Sequence, residues 1–368
     1  MRSPIRSIVS VVGARPNFMK LAPVVRALGS RAGIVHRVVH TGQHYDAAMS
    51  EAFFRDLGLP IPEIDLEVGS GTHAQQTALV MERLEPVLTA HLPDLLLVYG
   101  DVNSTVAAAL VAAKLGIRIG HVEAGLRSGD RSMPEEINRI VTDRLADFLF
   151  APSREAVDNL LTEGEPAEEI HFVGNVMIDS LAAALPAARA LNVAAALGVA
   201  GRPYAVVTLH RPSNVDDPAT LRDLVGGLDG LAERCPVLFP MHPRTREAFQ
   251  GSSGVRRNGG LRVLEPMGYL EMLGLVASAA LVVTDSGGLQ EETSYLGVPC
   301  LTVRRNTERP VTCTIGTNRL VTPDGAMLRE AAWASLEAGR REPRPIERWD
   351  GKAAERIVAV LLDGARFD

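Results

Sequence analysis

Short runs that are apolar at nearly every position recur along this chain. Each is followed by a longer segment whose apolar residues return every three to four positions. In the first half the apolar runs are 7–12, 35–40, 95–99, 117–122 and 148–151, and helical patterns between them include 18–28, 104–114 and 135–145. Strands that are apolar on both faces and separated by helices belong to parallel sheets covered on both sides. The pattern resumes with strands at 204–208, 237–241, 262–264, 281–284 and 300–303, and helices at 219–234, 269–277 and 289–295. The Ala-rich stretch 181–201 predicts a helix and the crossover between halves, and the amphipathic segment 352–362 is expected to pack back on the first half. The expected fold is α/β, with two doubly wound Rossmann-like domains facing a central cleft. The first covers 1–175 with 352–368 and the second 176–351.

In such sheets ligands bind at the carboxyl ends of the strands, which directs attention to the polar residues just after each run. Gly13-Ala14-Arg15-Pro16-Asn17 follows the first strand, with Lys20 one turn into the next helix. The glycine permits close backbone approach and the helix start favours an anion, although a plain strand-turn-helix with solvated charges reads the same way. Asp101 follows the run LLLVY, either to cap the next helix or, with Asn103 or Ser104 capping instead, to act in chemistry. Glu123 ends a strand, where a merely buried carboxylate is costly. Glu135 and Glu136 follow Pro134, and both also suit the positive end of a helix. In the second half His210 and Arg211 enter a loop after a strand. Ser286-Gly287-Gly288 at a helix start makes a cradle of backbone N–H groups for an anion, with Glu292 one turn in and Arg309 further on.

Composition narrows the choice. The 368 residues are 46% hydrophobic and only 4% aromatic, so two domain cores must be built from Ala, Val, Leu and Ile. A net charge of −6 without a long basic run argues against a nucleic-acid partner. Three cysteines, Cys235, Cys300 and Cys313, form no C-x-x-C pair, which fits a reducing, cytoplasmic setting without structural zinc. His40 and His44 straddle a strand end and Gly42, poor spacing for a metal. The apolar run 8–14 is cut by Arg15-Pro16 and reads as a first strand rather than a leader. No stretch approaches the roughly 20 apolar residues of a membrane span. No G-x-G-x-x-G is present, which disfavours a nicotinamide dinucleotide.

Taken in order, GARPNFMKLAP, TGQHYD, VYGDVNSTVAAAL, HVEAGLRSGDRSMPEEINR, GNVMID, LHRPSNVD, MHP, TDSGGLQEETSYLGVP and NTERPVTCTIGTNRLV span Gly13 to Val321. This series resembles the successive signatures of the non-hydrolysing UDP-N-acetylglucosamine 2-epimerases. The resemblance implies a GT-B-like fold, a homodimer, a UDP-sugar substrate and no metal or redox cofactor. It implies catalytic roles for Asp101, Glu123, Glu135 and His210, and substrate binding by Arg15, Lys20, Ser286, Gly287, Gly288, Glu292 and Arg309. Gln43, His44, Glu136, Arg211 and His242 match the positions where some bacterial members hold a second, activating UDP-sugar. Asn17 and Ser213 stand where many members carry Glu, which bears on the exact sugar or on regulation.

The implied reaction is reversible epimerisation at C2 of UDP-N-acetylglucosamine, by anti elimination of UDP to 2-acetamidoglucal and syn re-addition. Three rivals remain on the sequence: a 2-epimerase for a modified UDP-hexosamine, a GT-B glycosyltransferase, and a non-catalytic UDP-sugar sensor. A transferase needs one base and an acceptor site, whereas this chain gathers three carboxylates after strands of its first half. Retention of Asp101, Glu123, Glu135 and His210 argues against a sensor.

Overall fold

In the computed structural model, which describes residues 4–42, 57–59, 61–241, 245–246, 260–340 and 342–367, the apolar runs become the strands of two parallel sheets. The first unit comprises Met1–Ala183 with Glu347–Asp368. Its strands are β1 (Ser7–Val12), β2 (Val35–His40), β3 (Ile64–Asp65), β4 (Leu95–Tyr99), β5 (Arg118–Val122), β6 (Phe148–Ala151) and β7 (Ile170–Phe172). They lie in the order β3-β2-β1-β4-β5-β6-β7, all parallel. The helices that follow in sequence are α1 (Arg15–Gly29), α2 (His73–His91), α3 (Asn103–Leu115), α4 (Pro134–Leu145), α5 (Arg154–Thr162) and α6 (Val176–Ala190).

Every residue of β4 is fully buried, so the strand must be covered on both faces. Leu96 and Val98 join Val80, Leu84 and Leu88 of α2 and the alanines of α3 in one core. Each buried Leu or Val there contributes about 1.5–3 kcal/mol. The alanines let α2 and α3 lie close together, which is why so few aromatics suffice.

The last helix, α14 (Ala353–Asp363), belongs to this first unit and packs on α1. Asp179, in α6, caps it: the carboxylate accepts from the backbone N–H of Ala353 at 3.1 Å and of Ala354 at 2.8 Å. Burial nevertheless pushes Asp179 up to about 6, against an ordinary 3.8. A raised folded value means that its contribution to stability is fullest below pH 3.8 and is lost as pH rises through 6, by about 3 kcal/mol at most. Asp179→Asn keeps a neutral acceptor for the helix start. Its melting temperature should therefore rise relative to wild type between pH 4.5 and pH 7; a difference that stays constant in scanning calorimetry would contradict this account.

The second unit is Ala184–Ile346. Strands β8 (Ala205–Thr208), β9 (Val237–Pro240), β10 (Leu261–Leu264), β11 (Leu281–Thr284), β12 (Cys300–Val303) and β13 (Asn318–Val321) form a parallel sheet in the order β10-β9-β8-β11-β12-β13. Its helices are α7 (Val193–Ala196), α8 (Pro212–Val215), α9 (Pro218–Ala232), α10 (Tyr269–Ala277), α11 (Gly287–Leu296), α12 (Val311–Thr314) and α13 (Gly325–Ala338). Both sheets are thus doubly wound, the fold class of a GT-B-like enzyme. The units divide at 183/184 and 346/347, so the Asp179 end of α6 lies in the first unit together with α14, which it caps.

Three strands lie outside the sequence pattern: β3, β7 and β13. All three are edge strands. An edge needs fewer apolar residues, and β7 and β13 carry His171, Asn318 and Arg319 where a central strand would be apolar. Among the described residues no helix is long and apolar enough to cross a membrane.

Candidate functional site

Strand order reverses between β1 and β4 in the first sheet and between β8 and β11 in the second, the switch points where doubly wound sheets bind ligands. Most of the residues singled out in the sequence follow these strands and their neighbour β5, and Arg309 follows β12.

In the first unit, Lys20 on α1 and Glu123 after β5 form an ion pair, and both are at most 5% exposed. Glu123 has φ +77°, a left-handed conformation that costs an L side chain about 1–3 kcal/mol. Gly100, between β4 and Asp101, makes room for the pair. A Cβ at Gly100 would collide with Lys20 Nζ and press on Glu123 Oε2, and its φ of +64° is itself glycine's territory. Asp101 does not cap α3, whose N-cap is Val102. Its carboxylate instead meets Arg139 of α4, and Arg139 Nη1 donates to Glu136 Oε2 at 2.7 Å. Asn138 secures the same loop by donating to the Asp101 carbonyl at 2.9 Å.

Glu135 and Glu136 differ although they are neighbours in the first turn of α4. Glu136 is 2% exposed and accepts from Ser128 N and Gly129 N, each at 2.9 Å, as well as from Arg139. Burial would raise its pKa, but these donors outweigh burial and hold it below the usual carboxylate range. Glu136 therefore clamps the loop before α4, and its oxygens are already engaged. Glu135 is half-buried, and its carboxylate makes no hydrogen bond or ion pair among the described residues. Arg15 is the first residue of α1. Asn17 is buried, donating to Tyr99 O at 2.5 Å and accepting from Ala14 N at 3.1 Å. It ties α1 to the end of β4.

In the second unit, Asp285 after β11 organises the loop after β8. It is fully buried and accepts from His210 N at 3.0 Å, Arg211 N at 2.9 Å, Asn214 Nδ2 at 3.0 Å and His210 Nδ1 at 2.8 Å. Burial opposes its charge, but the His210 bond and the other donors prevail and hold its pKa below the ordinary value. With Nδ1 committed, Nε2 of the half-exposed His210 is the nitrogen left for a ligand. Arg211 is further tied by Nε to Asp285 O at 3.1 Å.

Ser286 is the N-cap of α11, and its side chain makes no capping bond. The hydroxyl and the first N–H groups of Gly287 and Gly288 thus form the start of a ten-residue helix suited to an anion. A Cβ on Gly287 would lie 2.7 Å from Arg309 Nη1, so the glycine is what lets the guanidinium approach the helix start. Arg309 is held there by Glu291 Oε1, which accepts from Nε at 2.7 Å, and by Glu308, itself paired with Arg304 at 2.8 Å. Glu292, one turn into α11, is 6% exposed; burial first and the neighbouring Glu291 second push its carboxyl up to about 8.

Gln43, His44 and His242 lie outside the described residues. Within the first unit the structure joins Lys20 to Glu123 and Asp101 to Glu136 through Arg139. Within the second it gathers Ser286, Gly287, Gly288, Glu292 and Arg309 around one helix start, and ties His210 and Arg211 to Asp285. Sequence reasoning did not single out Asp285 or Arg139. Asp285 had a signal, a carboxylate directly after the strand LVVT. Arg139 had none, because a lone arginine inside a helix reads as a solvated face.

Charged side chains at the switch point of each sheet place the chain among enzymes built on a GT-B-like pair of Rossmann folds. Over residues 26–362 it matches the model of the UDP-N-acetylglucosamine 2-epimerase family, and it belongs to that family of isomerases. It is 42% identical to the UDP-N-acetylglucosamine 2-epimerase of Methanocaldococcus jannaschii over 96% of this chain and 98% of that protein. It is 44% identical to the UDP-2,3-diacetamido-2,3-dideoxy-D-glucuronate 2-epimerase of Pseudomonas aeruginosa, over 96% of this chain and 99% of that one. The crystal structure of the M. jannaschii UDP-GlcNAc 2-epimerase in complex with UDP-GlcNAc and UDP superposes with a TM-score of 0.88 at 41% identity, covering 96% of this chain and 99% of that one.

Proposed function

We propose that this enzyme interconverts UDP-N-acetylglucosamine and UDP-N-acetylmannosamine. The C2 proton of the substrate is not activated by a carbonyl, so direct deprotonation at pH 7 is too costly. Breaking the C1–oxygen bond first removes the difficulty. UDP leaves, positive charge develops at C1, and the C2–H becomes acidic. Loss of that proton gives 2-acetamidoglucal, and UDP adds back as a proton arrives on the other face of C2. No electron acceptor is consumed.

The observation that carries this reading is that Asp101 and Glu123 are tethered independently, by Arg139 after β4 and by Lys20 after β5. In the α-linked gluco isomer the C2 hydrogen lies anti to the UDP oxygen, and in the manno isomer syn. Two faces call for two proton-handling groups, drawn from Asp101, Glu123 and Glu135. His210, Arg309 and the start of α11 would stabilise the departing diphosphate, with Glu292 on the ribose. Incubation with UDP-N-acetylglucosamine alone tests the reading. Appearance of the manno isomer supports it, and a glycosyltransferase would form none.

The assignment of UDP to the second unit has its own test. Glu292→Ala should weaken UDP binding at least about tenfold, the scale of a hydrogen bond to an ionisable group. Asp101→Asn should leave the Kd within roughly twofold. The reverse order in titration calorimetry would remove the assignment.

A second reading is supported by the 44% identity to the P. aeruginosa diacetamido-glucuronate epimerase. In it the same C2 chemistry acts on a modified UDP-hexosamine. A panel of UDP-hexosamines followed by NMR separates the two. A homodimer in the cytoplasm completes the proposal. The family resemblance supports the first, and the three free cysteines suit a reducing compartment.

A further inference from the structure

Beneath the loops that carry Asp101 and Glu123 lies a buried polar network that the epimerisation chemistry does not use. His121, in β5, is fully buried, and both ring nitrogens meet acceptors. Nδ1 lies 2.5 Å from Asp143 Oδ1, and Nε2 lies 2.8 Å from the carbonyl oxygen of Gly100. A carbonyl oxygen only accepts, so Nε2–H donates to it. Asp143, in α4, is 1% exposed, and its other oxygen accepts from Arg127 Nη1 at 2.8 Å and from Gly125 N at 3.1 Å. Burial alone would raise the Asp143 carboxyl, but His121 and Arg127 outweigh it and hold the group below the usual carboxylate range. Asp143 thus meets the His121 ring at one oxygen and Arg127 and Gly125 at the other.

These bonds hold two points of backbone. Gly100 directly precedes Asp101; its N–H donates to Val122 O at 3.0 Å while its carbonyl accepts from His121. Gly125 stands two residues after Glu123; its N–H lies on Asp143, and its carbonyl accepts from Asn159 Nδ2 at 2.9 Å. Glu123, in the left-handed region, sits just ahead of this second point. Such a residue keeps its conformation only where the surrounding structure over-determines it.

We propose that His121 and Asp143 are positioning residues for the two carboxylates, pinning Gly100 O and Gly125 N so that Asp101 and Glu123 project from fixed loop ends. The inference rests on the functional reading above. A network that merely held the fold together would affect stability and UDP binding along with turnover. A positioning network acts on the chemical step, where a displacement of about 1 Å is enough to slow it severalfold to a hundredfold.

Asp143→Asn and Asp143→Ala separate the contributions. The asparagine can still accept from Gly125 and Arg127 through Oδ1 and donate to a neutral His121 through Nδ2, leaving Nε2–H on Gly100. The alanine keeps none of this. Asp143→Ala should lower kcat roughly tenfold or more with KM and the UDP Kd within about threefold, and Asp143→Asn should restore most of the rate. Wild-type kcat in the alanine variant, or an asparagine variant as slow as the alanine one, overturns the proposal. Because the alanine variant risks not folding, ¹⁵N NMR of the intact wild-type protein gives a second test. The His121 Nε2–H on the Gly100 carbonyl should be protected from exchange, and an Nε2 that carries no proton, or one whose proton exchanges rapidly, overturns the proposal. If the wild-type enzyme does not epimerise UDP-N-acetylglucosamine, the functional reading falls, while the ring-proton spectrum still decides the hydrogen-bond arrangement.

Discussion

In heavy water the manno product should carry deuterium at C2, and replacing any one of Asp101, Glu123 or Glu135 by its amide should lower kcat by roughly 10²-fold or more. The reasoning is geometric. The proton removed from one face of C2 and the proton delivered to the other pass through side chains that exchange with solvent, so the original hydrogen cannot be retained. Asp101 and Glu123 pair with Arg139 and Lys20, and an amide can neither accept nor return the proton. Glu123→Gln also leaves Lys20 facing a neutral group in a site at most 5% exposed. That variant should therefore lose stability as well as rate. Some of these variants should release UDP and 2-acetamidoglucal, because elimination can outlive re-addition. Proton NMR of the product decides the matter. Full retention of the C2 hydrogen would point to an internal hydride shift and remove all three carboxylates from the mechanism.

Asp285→Asn should be nearly as damaging, although Asp285 is fully buried and is assigned no contact with substrate. Its carboxylate receives the backbone N–H groups of His210 and Arg211 and the side chains of Asn214 and His210. An amide NH₂ cannot accept, so at least one of these donors would face another donor. Leaving a buried donor unsatisfied costs about 1–3 kcal/mol. His210 would also lose the acceptor that fixes its tautomer and directs Nε2 outward. Exchanging a histidine-orienting aspartate for asparagine in a serine protease lowers turnover by about 10⁴ through the wrong tautomer. A loss of roughly 10²-fold or more in kcat is expected here, similar to that of His210→Asn, with the double variant little worse than either single one. Additive losses in kinetics of the double variant would separate the two residues.

The sequence alone determined a good deal of this protein. Runs apolar on both faces, such as LLLVY in β4 and LVVT in β11, have no stable place except between two layers of helix. Their positions therefore fixed the central strands, and with them the loops after β1, β4, β5, β8 and β11 that hold the candidate residues. Nine motifs in order carried the family. The edge strands β3, β7 and β13 escaped notice because an edge does not need an apolar face on both sides, and the cap that Asp179 of α6 places on Ala353 spans 174 positions of sequence. What only the tertiary structure decided is which neighbour each charge has. Glu135 and Glu136 are adjacent in sequence, yet one lacks a partner among the described residues and the other closes a loop. Asp101 reads equally as a helix cap or as a chemical group until Arg139, 38 residues on, takes its carboxylate. His121 and Asp143 read as one residue in a strand and one in a helix until both are seen to hold the backbone beside Glu123. The physical reason is one of range: hydrophobic burial acts on whole segments and leaves a periodic trace along the chain, whereas a hydrogen bond or buried ion pair acts between two atoms that only the fold brings within 3 Å.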